Sequence, residues 1–167
     1  LPLRFAVIVN GAFSLTNIRS VTVPEGFREL RDGVFAGCRS LSKVSLPSTL
    51  KYLGGMEFSA TAIKQIDIPN SVIDLGPSAF FNCLQLYSVR LSNQLDKLEP
   101  SIFQCTALKH IYLPASIKSI GKGCFMFCRQ LTDVYCFSTT PPEAHEYSFN
   151  DFDKPTIHVP KGTLAAY

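Results

Sequence analysis

Charge is scarce in this chain: Asp, Glu, Lys and Arg make up 17% of 167 residues, and the net charge is only +3. Beside an apolar content of 46%, so little charge excludes a disordered chain. The basic residues are scattered and the aromatics do not interleave with them, so neither a nucleic acid nor an anionic membrane is indicated. No run of 18 or more apolar residues occurs, which excludes a helix crossing a membrane. Catalytic signatures are missing too. There is no Gly-x-Ser-x-Gly nucleophile elbow. His145-Glu146 opens like a zinc-protease motif, but Phe149 stands where the second histidine belongs. Gly121-x-Gly123 meets Met126 where a third glycine is needed, and Asp151-x-Asp153 runs into Pro155, which spoils a calcium loop. There is no Asn-x-Ser/Thr sequon. No enzyme, metal or cofactor is expected.

What is present is a sentence repeated about every 22 or 23 residues, the period of a repeat protein. Two copies are Val34-Phe35-Ala36-Gly37-Cys38-Arg39-Ser40-Leu41 and Cys124-Phe125-Met126-Phe127-Cys128-Arg129-Gln130-Leu131. A fixed period of this size signals a solenoid, whose units bury their apolar side only by stacking on one another. Apolar pairs two positions apart recur at Val21/Val23, Val44/Leu46, Ile66/Ile68, Val89/Leu91, Ile111/Leu113, Val134/Cys136 and Ile157/Val159. Each pair predicts a short strand with one buried face. Proline follows most of them and stops the pairing, because it has no amide hydrogen. Ser92 and Phe137 stand where that proline is expected. Two further apolar columns follow, one running from Phe5 and Phe27 to Ile117, the next from Ile8 and Leu30 to Ile120. A phenylalanine column completes each turn: Phe13, Phe35, Phe58, Phe80, Phe103, Phe125 and Phe149.

The units come in two lengths that alternate, the shorter lacking one residue of the longer. The longer unit reads Phe-x-x-Cys-x-x-Leu (Cys38, Cys83, Cys128), the shorter Phe-x-x-Thr-x-Ile/Leu (Thr16, Thr61, Thr106). The working unit is therefore a double repeat of about 45 residues, with cysteine and threonine taking turns at one inward site. Cys38, Cys83 and Cys128 lie on alternate coils, roughly 9–10 Å apart at about 4.8 Å per strand. Disulfide bridging needs alpha carbons within about 7 Å, so free thiols are expected throughout, Cys105 being the one with the best-placed neighbours.

These residues closely resemble the BspA-like leucine-rich-repeat family, over essentially the whole chain. The resemblance implies an α/β leucine-rich-repeat solenoid, a right-handed superhelix of short parallel β-strands with tight turns and single helical turns near each phenylalanine. Residues 1–143 are expected to be repeats of the two alternating lengths, beginning mid-repeat. Residues 144–167 are expected to supply the final strand and a C-terminal cap in the same domain. Leu1-Pro2, Phe5 and Ile8 fit repeat columns, so the opening is read as repeat and not as a signal peptide. Without an initiator methionine, the chain reads as a fragment of a longer protein. By the same resemblance it is extracellular or at a bacterial cell surface, and its partner is a protein or glycoprotein, host-derived ones included.

If the strand residues named above point inward, their neighbours point to solvent. One outward column is Ser20, Lys43, Gln65, Ser88, His110, Asp133, Thr156; the other is Thr22, Ser45, Asp67, Arg90, Tyr112, Tyr135, His158. The N-terminal half is small and polar, whereas Arg90, His110, Tyr112, Asp133, Tyr135 and His158 gather towards the C-terminal end. Tyrosine, arginine and histidine on a rigid sheet suit a recognition surface. The same residues also suit a cross-strand ladder with a His110–Asp133 pair that merely stabilises an exposed face. A metal at His110, Asp133 and His158 would need a long reach across two strands. The expectation is a non-catalytic binding or adhesion module; the alternative is a stalk or spacer with no ligand of its own.

Overall fold

Apolar residues two apart, closed off by proline, leave room only for very short strands. The computed structural model describes residues 7–149 and 154–167, and each coil carries two such strands. In chain order they are β1 (Val7–Ile8), β2 (Ser20–Thr22), β3 (Glu29–Leu30), β4 (Lys43–Ser45), β5 (Tyr52–Leu53), β6 (Gln65–Asp67) and β7 (Asp74–Leu75). They continue as β8 (Ser88–Arg90), β9 (Lys97–Leu98), β10 (His110–Leu113), β11 (Ser119–Ile120), β12 (Asp133–Cys136), β13 (Glu143–Ala144) and β14 (Thr156–His158). The result is a parallel β-solenoid of about six turns. Leu1-Pro2, Phe5 and the Asp151/Asp153 pair lie outside the described residues.

The even-numbered strands form the broad face, in the register that the repeat dictates. Ser20 lies opposite Lys43, Gln65 opposite Ser88, and His110 opposite Asp133, which in turn lies opposite Thr156. The odd-numbered strands make a second parallel ladder at the Leu30 and Leu53 column, in two stretches, β1 to β7 and β9 to β13. A third set of bonds joins the phenylalanine turns: Phe58 N–H donates to Ala79 O at 2.8 Å, and Phe80 N–H to Ile102 O at 2.9 Å. Backbone polar groups between coils thus find partners on up to three sides, and the phenylalanine-turn bonds continue where a strand ladder is interrupted.

The phenylalanine turns are not α-helical. Residues two before and two after each ring from Phe13 to Phe125 are left-handed, as at Met56 and Ala60 (φ 56° and 55°), Ser78 and Asn82 (58° and 60°), and Ser101 and Cys105 (57° and 60°). A left-handed residue cannot continue a right-handed helix. The expected helical turns therefore shrink to single i→i+3 bonds, such as Cys83 N–H to Phe80 O at 3.2 Å. Among the described residues the only helical element is a 3-10 turn at Leu164–Ala166.

Down the axis runs an unbroken stack of phenylalanines from Phe13 to Phe125, with neighbouring centroids 5.6–5.7 Å apart; Phe149 adds a last ring at 5.2 Å. Phe35, Phe58, Phe80, Phe103 and Phe125 are buried. The ends differ. Phe13 and Ile157 are 43% and 42% exposed, so the expected burial of Ile157 fails. It lies on the last strand, where no described coil covers it.

The cysteine–threonine alternation has a direct physical cause. Thr61 Oγ1 and Cys83 Sγ lie 3.3 Å apart, and both donate to Phe58 O, at 2.9 and 3.0 Å. The same trio recurs at Thr16/Cys38/Phe13 and Thr106/Cys128/Phe103. Two inward polar groups thus share one carbonyl, and they couple the coils in twos. All six cysteines are free, and burial pushes the Cys83, Cys124 and Cys128 thiols up, away from the reactive thiolate.

Coils also approach each other closely at Gly76, where an added Cβ would lie 2.4 Å from the backbone nitrogen of Gly55. Backbone cannot swing aside as a side chain can. Gly76→Ala is therefore expected to destabilise the fold by about 1–3 kcal/mol, read as a lower urea midpoint.

Candidate functional site

The alternation of long and short units has a visible effect on the broad face. Strands joined by a long coil pair normally: β2 with β4, β6 with β8, β10 with β12. Strands joined by a short coil, β4 to β6 and β8 to β10, share no ladder pairing. The face is thus divided by two clefts. The first, about 540 Å³, is lined by Glu25, Ser45, Ser48, Gln65, Asp67 and Arg90 among others. The second, about 490 Å³, is lined by Asp67, Arg90, Asn93, Tyr112, Pro114 and Phe137 among others.

The six residues singled out in the sequence do share this face. Tyr112 and Tyr135 stack at 4.8 Å between centroids and 19° between planes. Tyr135 then stacks on His158 at 4.3 Å and 9°. His110, two positions before Tyr112 on β10, meets that ring edge-on at 5.4 Å. The rings form a continuous row across β10, β12 and β14 because the strand register sets them directly opposite one another.

Asp133 does not pair with His110, against expectation. His158 Nε2 lies 2.7 Å from Asp133 Oδ1, and Thr132 Oγ1 donates to Oδ2 at 2.7 Å. Although His110 lies directly opposite Asp133, its ring is engaged edge-on by Tyr112, and it is His158, diagonal on β14, that meets the carboxylate. These hydrogen bonds hold the Asp133 carboxyl below its usual range, with the His158 bond the largest cause. Its small contribution is complete above the ordinary carboxylate pKa and lost as the pH falls below it. Among the described residues, no group of three or more His, Cys, Asp or Glu side chains is set to hold a metal ion.

Arg90 stands apart from the ring row, across the second cleft. Its Nη2 donates to Asp67 Oδ2 at 3.1 Å, with both side chains well exposed. An exposed pair of this kind adds little stability.

Three participants carry little signal in the sequence. Asp67 occupies the outward column without a sequence neighbour to single it out. Phe137 shows only as a break in the proline column, yet its ring lies 6.3 Å from Tyr112 and lines the cleft. The cleft itself has one sequence signal, the missing residue in each short unit.

The described geometry is that of one repeat, wound coil on coil. The profile of the BspA type leucine rich repeat region matches in six copies, over residues 6–132 and 51–163. The chain belongs to the BspA-type leucine-rich-repeat family. Among solved structures, this BspA-type region resembles a leucine-rich cell surface protein from Faecalibacterium prausnitzii. That match has a TM-score of 0.52 and 20% identity, and covers 89% of this chain and 62% of the other. It also resembles a T. pallidum leucine-rich repeat protein (TM-score 0.50, 19% identity), covering 91% of this chain and 66% of the other. At such identities the likeness speaks to the fold alone. The BspA-type region here spans less than two thirds of either neighbour's length. No curated protein matches it. No helix among the described residues is long and apolar enough to cross a membrane.

Proposed function

We propose that this chain is a non-catalytic binding module of a bacterial surface or secreted protein. Its contact face is formed by Arg90, His110, Tyr112, Asp133, Tyr135 and His158, and its partner is a protein or glycoprotein. The observation that carries this reading is the ring row Tyr112–Tyr135–His158 on a sheet whose back is a fully packed core. Rigid aromatic groups offer large contact area at low entropic cost, with polar tips that fix orientation. The family and the cell-surface description of the F. prausnitzii neighbour support the location.

The test is the triple variant Tyr112→Ser/Tyr135→Ser/His158→Ser, compared with the parent against a panel of matrix proteins and glycoproteins. Loss of at least about tenfold in affinity is expected, a cost of about 1.4 kcal/mol or more. Unchanged affinity refutes the assignment of the face. The regularity of the phenylalanine stack favours a second reading, that of a spacer. A spacer would show no ligand, and its function would respond to repeat number and not to these three side chains.

A further inference from the structure

We propose that the cleft between β8 and β10 takes one hexopyranose unit of a glycan, its C–H face laid on the Tyr112 ring and its hydroxyls held by Arg90, Asp67 and Asn93. The inference rests on the binding role proposed above and names the chemistry of its partner.

The argument begins with the ring row. Tyr112 stacks on Tyr135 of β12 and, more loosely, on Phe137, and it lines the unpaired gap between β8 and β10. Tyr112 is 44% exposed. Phe137, 56% exposed, extends the same wall. The opposite wall is polar: the Arg90–Asp67 pair, with Asn93 beside it. A guanidinium has five N–H donors, of which the contact with Asp67 uses one. The cleft volume of about 490 Å³ lies within the range of small-molecule sites.

A site with one aromatic wall and one hydrogen-bonding wall asks for a ligand with the same division. A pyranose ring has it: weakly positive C–H bonds on a face, which suit the negative face of an aromatic ring, and hydroxyls around the edge. An apolar or aromatic peptide side chain would satisfy Tyr112 but strip water from Arg90, Asp67 and Asn93 without replacing its hydrogen bonds. A sugar hydroxyl both donates and accepts, so it serves the guanidinium and the carboxylate together.

The molecule supplies its own control. The cleft between β4 and β6 has the same origin and a similar volume, about 540 Å³, yet no aromatic ring is among its described lining. It should take no sugar.

The test titrates the whole chain with methyl glycosides of glucose, galactose, mannose and N-acetylglucosamine, and with N-acetyltyrosinamide. Saturation-transfer and amide-shift NMR are the readouts. At least one glycoside is expected to bind at millimolar strength, with saturation strongest at its ring C–H protons and shifts centred on Arg90, Asn93 and Tyr112. Tyr112→Ala and Arg90→Ala should each weaken it by about tenfold or more, Tyr112→Phe should retain it, and Gln65→Ala in the other cleft should leave it unchanged. Tyr112 and Arg90 are exposed, and circular dichroism will verify that each variant is folded. Absence of binding by all four glycosides overturns the proposal. So does binding that survives Tyr112→Ala or maps to the β4/β6 cleft, or binding of the tyrosine amide alone. If no glycoside binds while the triple serine variant still loses a protein partner, the sugar assignment falls and the contact face stands. If both experiments are negative, both fall.

Discussion

Phe80→Ala is expected to lower the unfolding free energy by about 3–5 kcal/mol, measured by urea denaturation. The ring is fully buried and lies 5.6 Å from both Phe58 and Phe103. Its removal costs the transfer of the side chain, two stacking contacts of about 0.5–1.5 kcal/mol each, and the cavity between two coils that cannot close on it. The turn bonds from Phe58 N–H to Ala79 O and from Phe80 N–H to Ile102 O hold the coil spacing beside the ring, so relaxation is limited. Phe13→Ala, at a half-exposed end of the same stack, should cost clearly less. Equal losses at the two positions would mean that the stack does not carry the stability assigned to it.

Glu57 is expected to make the fold weaken as the pH rises. Its column, one residue before each phenylalanine, otherwise holds Ala12, Val34, Ala79, Ile102, Cys124 and Ser148, none of them charged. Glu57 is fully buried there, Oε2 accepting the Val34 N–H at 3.2 Å and Oε1 left without a partner among the described residues. Burial, with a smaller push from Asp32, raises its pKa from 4.5 to about 8. The folded form therefore holds a proton that the unfolded chain has already released. The stability this proton confers is complete below pH 4.5 and lost as the pH rises to about 8. At about 1.36 kcal/mol for each pH unit separating the two values, the full swing has an upper limit of about 5 kcal/mol. Glu57→Ile, matching Ile102, should remove this slope and raise the melting temperature most at alkaline pH. A parent protein whose stability is flat from about pH 5 to 9 would contradict this account of Glu57.

The columns of the solenoid are legible in the sequence because each inward residue type recurs at a fixed spacing. Val21, Ile66, Ile111 and the phenylalanines can be placed without coordinates, and so can the outward position of Tyr112 and Tyr135. The exceptions come from what a periodic pattern does not encode. Ile157 reads as core but has no described coil above it. Asp133 faces two histidines, and it bonds the diagonal His158 while the directly opposite His110 turns its ring to Tyr112. Glu57 is masked by its column, where Ala, Val, Ile, Cys and Ser vary too much to form a marked position of the repeat. The alternation of unit lengths is plain in one dimension, but that a single missing residue opens the broad face is visible only in three.

Shared capture of the Phe13, Phe58 and Phe103 carbonyls by a threonine and a cysteine sets the increment by which such a chain can be lengthened or cut. Splicing in one long and one short unit together adds a complete hydroxyl–thiol couple and one more opening in the face. Splicing in a lone unit sets hydroxyl on hydroxyl or thiol on thiol at the junction, leaving an odd member with no mate. Duplication is structurally even-numbered, and any ligand-binding slots would then be dealt out at alternate turns, two coils from one to the next.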